Sequence, residues 1–253
     1  MQEFFNSVWN EIVIIWNDLK DEFILNFVAD NRWKYLTDGL LTTLQVTFFA
    51  LLLGIAIGVV VAVVRSTHDK TVDDMNRGFG RGLLKFFDKI CRVYLTVIRG
   101  TPVVVQLMLI YYVILASLTD KVLIASLAFG INSGAYVAEI IRSGIMSIDK
   151  GQFEAGRSLG FNYVQTMWHI IIPQAFKTIL PTLANEFIVL IKETSVAGYV
   201  ALQDLTKGGD IIRSRTYSAF MPLIAVALIY LVIVMFFTWL VGILERRLRS
   251  SDH

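Results

Sequence analysis

The chain has 253 residues, 55% of them hydrophobic and 17% charged, with net charge +2 and mean hydropathy +0.62. Soluble domains carry about 25% charge, so this balance excludes a disordered chain, a basic nucleic-acid binder and a secreted disulfide scaffold. It predicts an all-α polytopic membrane protein. The single cysteine, Cys91, excludes an intrachain disulfide and a cysteine-cluster metal site.

In residues 1–35, Phe4, Val8, Ile12, Ile15, Trp16, Leu19 and Phe23 recur at three- and four-residue spacing between Glu11, Asn17, Asp18, Asp21 and Glu22. The pattern predicts an amphipathic helix in the membrane interface, with Trp9, Trp16 and Trp33 at headgroup level. The alternative, a sixth span, would bury the charged run Asp18 to Glu22. The first basic residue is Lys20, behind Glu3 and Glu11, so a cleavable signal peptide is not expected.

Five apolar stretches approach the 20 or so residues that a bilayer core requires. They are Gly39–Val64, Val93–Thr119, Val122–Ala138, Thr178–Ile191 and Thr216–Leu244. Arg99-Gly100-Thr101-Pro102 interrupts the second, and Glu186 lies inside the fourth. Gly54 and Gly58 form a small-residue stripe in the first, suited to close packing of spans. Lys and Arg number thirteen on one side (65–92, 148–177 and the tail 246–253) and seven on the other. By the positive-inside rule the N-terminus is outside and the C-terminus cytoplasmic. The permease-like body is then 36–245.

Two polar loops are cytoplasmic in this topology. Ser66–Arg92 reads as an amphipathic connector leading into the second span. Residues 149–173 read as a helix–turn–helix: Asp149 suits a helix N-cap, Gly160 suits a left-handed stop, and Phe161 to His169 form a second short helix. Phe153, Leu159, Phe161, Tyr163 and Trp168 are expected to be exposed, and such an apolar patch marks a protein partner.

Glu154-Ala155-Gly156, with Gly160, Ile170 and Ile172-Pro173 at fixed intervals, resembles the EAA loop of ABC importer permeases. That loop reads Glu-Ala-Ala, then Gly, then Ile-x-Leu-Pro; Gly156 and Ile172 are the two departures. Leu41-Thr42-Thr43-Leu44, Ile98-Arg99-Gly100-Thr101-Pro102 with Gln106, Asn132 to Glu139, Asn185-Glu186-Phe187 and Lys192 to Ser195 are similar to segments of the polar amino-acid branch of that family. The resemblance covers about residues 36–245. It implies a type I ABC importer permease fold. It also implies a second permease copy or related chain, a cytoplasmic ATPase pair and an extracytoplasmic solute-binding protein. Glu154, Ala155, Gly156, Gly160, Phe153, Leu159 and Phe161 become candidates for coupling to the ATPase. ATP and magnesium belong to that partner, for this chain has no Gly-Lys dipeptide and hence no P-loop. A bacterial or archaeal plasma membrane is implied.

Carboxylates at membrane depth cost about 2.5–3.5 kcal/mol each, so Glu186, Glu139 and Glu193 are candidates for substrate contact. Glu186, beside Asn185, either meets the amino or cationic group of an amino acid or bonds another span. Glu139 is one turn from Arg142 and suits a structural ion pair. Glu193 either pairs locally or contacts substrate. Thr101 and Gln106 at the break are further pathway candidates. Three carboxylates favour a cationic or zwitterionic substrate. A gradient-driven transporter would show paired broken helices in repeated halves, and a passive scaffold would not explain three carboxylates in apolar spans.

Overall fold

The computed structural model describes residues 1–73 and 78–249, apart from the side chains at 2–8, 10, 12 and 249. The side chains of Phe4, Val8 and Ile12, the whole of Arg77 and residues 250–253 of the tail therefore lie outside the described residues. Among those described, the secondary structure is helical, with no strand.

Helix α1 (Gln2–Phe23) runs through a wide turn, Ile24–Val28, to a short turn at Ala29–Asn31. Asp30 and Asn31 there adopt left-handed backbone angles, which polar short side chains tolerate. Helix α2 (Trp33–Thr71) follows. Its 39 residues span about 58 Å, well beyond a hydrocarbon core of about 30 Å. The predicted span Gly39–Val64 is thus only its apolar middle. Backbone hydrogen bonding continues into the polar flanks, so hydropathy marks the slab rather than the helix ends.

Helix α3 (Phe79–Gly100) and helix α4 (Val103–Leu109, continued by a wide turn to Ile114) meet at a bend of 108°. The expected second span, Val93–Thr119, is therefore two differently directed helices, and α3 begins well before it. Thr101 is extended ahead of Pro102, as the clash with a proline ring requires. Helix α5 (Lys121–Met146) starts at Asp120, whose carboxylate accepts from Leu123 N at 3.0 Å. Then come α6 (Lys150–Ser158), α7 (Tyr163–Thr166), α8 (Ile172–Glu193), α9 (Leu205–Thr216) and α10 (Phe220–Arg249). By length and apolarity α2, α5 and α10 can cross a membrane, and the α3–α4 pair would add a fourth. Helix α8 holds Lys177, Glu186, Lys192 and Glu193 and is not among them.

Helix α5 is the axis of the fold, with Phe129, Ile124, Ala135 and Val137 fully buried. Helix α2 lies along it: Gly54 faces Ser133 and Gly58 faces Val137, while Leu53 and Ile57 reach Gly130 and Gly134. The small-residue stripe is a seam inside this chain. Val46, Ala50, Leu107, Ile124, Phe129 and Leu190 close one core from α2, α4, α5 and α8. Helix α9 crosses the start of α2, where Leu205 N donates to Thr43 Oγ1 at 3.1 Å. Helix α10 leaves Leu231, Val232, Met235, Phe236 and Trp239 exposed, an apolar exterior suited to lipid.

Candidate functional site

The bend between α3 and α4 is held by Gln106. Its Nε2 donates to Ile98 O at 2.7 Å, Thr101 O at 3.0 Å and Thr101 Oγ1 at 2.7 Å. Its Oε1 accepts from Asn132 Nδ2 at 2.9 Å. Gly100 and Pro102 leave backbone carbonyls without helical partners, and at depth these need a protein donor. Gln106 supplies it. Both ends of the buried amide are occupied, so Gln106 acts as a staple; Thr101, exposed at the bend, keeps an open side.

The next residue on α5, Ser133, faces the other way. Its hydroxyl donates to Glu186 Oε1 on α8 at 2.9 Å. Glu186 is 7% exposed, while Asn185 beside it is exposed and Glu193, at the end of α8, is half-buried. Asn132-Ser133 therefore ties the broken helix to the helix carrying the buried carboxylate. Sequence reasoning passed over this pair as candidates. Two polar side chains in succession within an apolar span were the available signal.

Glu139, two turns further along α5, belongs to an ion network. Arg142 Nη2 lies 3.5 Å from Glu139 Oε2, so the predicted pair is formed. Arg99 Nη1, at the end of α3, lies 4.0 Å from Glu139 Oε1, and its guanidinium stands 5.7 Å from the Tyr136 ring centre. Arg142 Nη1 also reaches Asp69 Oδ2 on α2 at 3.0 Å. Beyond it, Asp88 on α3 is buried between Arg65 at 3.3 Å and Arg92 at 2.7 Å.

The 149–173 segment folds as a helical hairpin. Asp149 caps α6 by accepting from Gly151 N at 2.6 Å. Gly160 turns the chain at φ +80°, a conformation that costs other residues about 1–2 kcal/mol. Asn162 and Gln165 form a reciprocal capping box on α7. The second helix is shorter than expected and runs through a wide turn, Met167–Ile171, into α8. Gly156 is buried on Thr166, whose side chain would stand 2.7 Å from an added Cβ. The departure from Ala at this position therefore matches a crowded helix crossing.

Glu154, Ala155 and Leu159 are exposed, and the apolar outer face is Leu159 (71%), Val164 (70%) and Trp168 (68%). Phe153, Phe161 and Tyr163, expected to be exposed, are half-buried. Phe153 turns inward onto the core of Ile145, Ile171, Ala175 and Ile179, and the tail of α2 covers it from the other side: Lys70 Nζ sits 4.3 Å from its ring centre, within cation–π range. Phe161 rests against the His169 ring at 6.0 Å.

A profile of the family described as "Binding-protein-dependent transport system inner membrane component" matches residues 54–250. The arginine transport system permease protein ArtQ of Bacillus subtilis is 35% identical over 221 residues, 86% of this chain and 94% of ArtQ. The putative glutamine transport system permease protein GlnP of Rickettsia bellii is 37% identical over 233 residues, 91% of this chain and 99% of GlnP. A crystal structure of an amino acid ABC transporter with histidines contains a chain 39% identical to this one. It superposes with TM-score 0.75 over 87% of this chain and 98% of that chain. The MetNI methionine ABC transporter, at 18% identity and TM-score 0.70, shares the fold. With the bent α3–α4 pair, the α2–α5 seam and the loop hairpin in place, this chain belongs to the family of binding-protein-dependent transport system inner membrane components, the permease subunits of ABC importers.

Proposed function

We propose that this chain is the translocation-pathway subunit of an ATP-driven importer for polar amino acids. The observation that carries the proposal is Glu186, a carboxylate shut between α5 and α8 with one hydroxyl donor, Ser133. Structural ion pairs at such depth are matched by a cation, and no salt bridge to Glu186 is formed among the described residues. A substrate ammonium or guanidinium supplies that charge. Asn185, Glu139, Glu193 and Thr101 are the accompanying pathway candidates, and the naming of relatives for glutamine and arginine is consistent with an amino-acid cargo.

In this reading the chain crosses the membrane five times, α8 included, with the N-terminus outside and the C-terminus in the cytoplasm of a bacterial or archaeal cell. Residues 1–35 lie on the outer interface. Loop 149–173 presents Leu159, Val164 and Trp168, with Glu154, to a separate ATPase pair that binds ATP and magnesium. A second permease chain completes the pathway, and an external solute-binding protein delivers the amino acid.

Glu186→Gln tests the assignment, because an amide still accepts from Ser133. The assembled variant should lose uptake of tritiated arginine or glutamine by roughly 10- to 100-fold, the value of a charge-assisted hydrogen bond. Unchanged uptake would remove Glu186 from the pathway.

A further inference from the structure

We infer that Arg142 is a positioning residue that passes displacement of the 149–173 loop to the Arg99–Pro102 bend. The inference rests on the coupling reading of that loop and adds the route by which the bend responds.

The contacts form an unbroken series. The loop bears on the tail of α2 where Lys70 covers Phe153 at 4.3 Å, beside a cavity of about 340 Å³ lined by Lys70, Thr71, Arg157 and Tyr163. One residue before Lys70, Asp69 holds Arg142 at 3.0 Å. Arg142 holds Glu139 at 3.5 Å, and Glu139 faces Arg99 at 4.0 Å. Arg99 directly precedes the bend, whose carbonyls at Ile98 and Thr101 are bound by Gln106.

Two features separate this from an ordinary surface ion pair. The side chains of Asp69, Arg142 and Glu139 are 22%, 27% and 28% exposed, so solvent screens them less than free surface charges. Arg142 also serves two carboxylates from two helices, while its Nε is buried without a partner. Its guanidinium is thereby placed by Asp69 and Glu139. The close seam of α2 on α5 is at Gly54 and Gly58, and beyond it the α2 tail at Asp69 is tied by Arg142 to the turn of α5 that carries Glu139, so a push on that tail reaches Glu139 through Arg142. Helix α3 packs on α2 and α5 through Cys91, Leu95 and Tyr94, and Arg99–Glu139 is the contact of that packing that adjoins the bend.

The test uses the complete transporter with a Gly100→Cys reporter, since nothing lies within 4 Å of a Cβ at Gly100. The readout is the change that ATP causes in its labelling by a membrane-impermeant maleimide. Native Cys91 is buried. With Arg142→Gln the ATPase should still co-purify and hydrolyse ATP, while the ATP-dependent labelling change falls about fivefold or more, the lower range of site-to-site coupling. Arg142→Lys should restore part of it, and Asp69→Asn should weaken it and serves if Arg142→Gln fails to assemble. A full labelling change in both Arg142→Gln and Asp69→Asn overturns the inference and leaves the coupling reading standing. Retention of the ATPase by a Leu159→Asp, Trp168→Asp double variant overturns the coupling reading instead. A complex that carries the Gly100→Cys reporter alone and shows no ATP-dependent labelling change overturns both.

Discussion

Replacing Gly39 by alanine should destabilise the protein, although alanine is the better helix former. An added Cβ would stand 2.5 Å from Asp204 O, 2.8 Å from Asp204 C and 2.9 Å from Leu205 Cα. All three are backbone atoms at the start of α9, so no side chain can swing aside and the whole helix must retreat. Forced insertion of a methyl into close packing costs about 1–3 kcal/mol, and helix propensity returns about 0.8 kcal/mol. With three backbone atoms under 3.0 Å the insertion cost lies at the upper end, about 3 kcal/mol, so the net loss is about 2 kcal/mol, or a Tm decrease of about 4–8 °C at this chain length. Gly82→Ala in α3 is the control, for nothing lies within 4 Å of its added Cβ, and it should raise Tm by about 2–3 °C. Thermal unfolding in detergent, followed by the fluorescence of the five tryptophans, reads both. A Gly39→Ala protein as stable as the unmutated one, or shifts of the same sign in both variants, would refute the close crossing of α2 and α9.

Asp204 makes stability depend on pH. It caps α9 by accepting from Thr206 N at 3.0 Å and Lys207 N at 3.2 Å, yet burial pushes its carboxyl up from 3.8 to about 6. The folded state therefore holds this proton more tightly than the unfolded chain. The contribution of the group is favourable below about pH 4 and declines by about 3 kcal/mol as pH rises to about 6. Asp204→Asn keeps an accepting cap while giving up one hydrogen bond of about 1 kcal/mol. It should raise Tm at neutral pH and flatten the stability curve between about pH 4 and 6; an unaltered curve would rule out this origin. Trp168→Ala, which removes an exposed aromatic from the outer face of the loop, should leave Tm unchanged and weaken retention of the ATPase by about 1 kcal/mol or more. Equal retention would place the contact elsewhere on the hairpin.

Much of this arrangement is written in local sequence. The apolar middles of α2, α5 and α10 are visible as hydropathy alone, and Gly160 announces a left-handed stop because the residues around it follow a helical pattern. The bend at Gly100-Thr101-Pro102 was legible as a break, since proline and glycine interrupt hydrogen bonding. Its 108° angle was not, because it is fixed by Gln106 reaching across to Asn132, a pairing between residues far apart in the chain. The inward turn of Phe153 was hidden for a related reason. It depends on Ile145 and Ile171 and on Lys70, which lies beyond the apolar run that stops at Val64, seven residues short of the helix end at Thr71. Glu186 could be found as a charge in an apolar stretch, but its partner Ser133 could be assigned only after α5 and α8 were seen side by side.

The most direct measurement is mass spectrometry of the chains that co-purify with this one in mild detergent, for the native protein and for Gly160→Arg. Arginine at φ +80° strains the turn and puts a long cation on the loop surface. A P-loop ATPase should accompany the native chain and be lost from the variant while the variant remains folded. A folded native chain that brings no ATPase, or a variant that keeps it undiminished, would contradict coupling through the 149–173 loop.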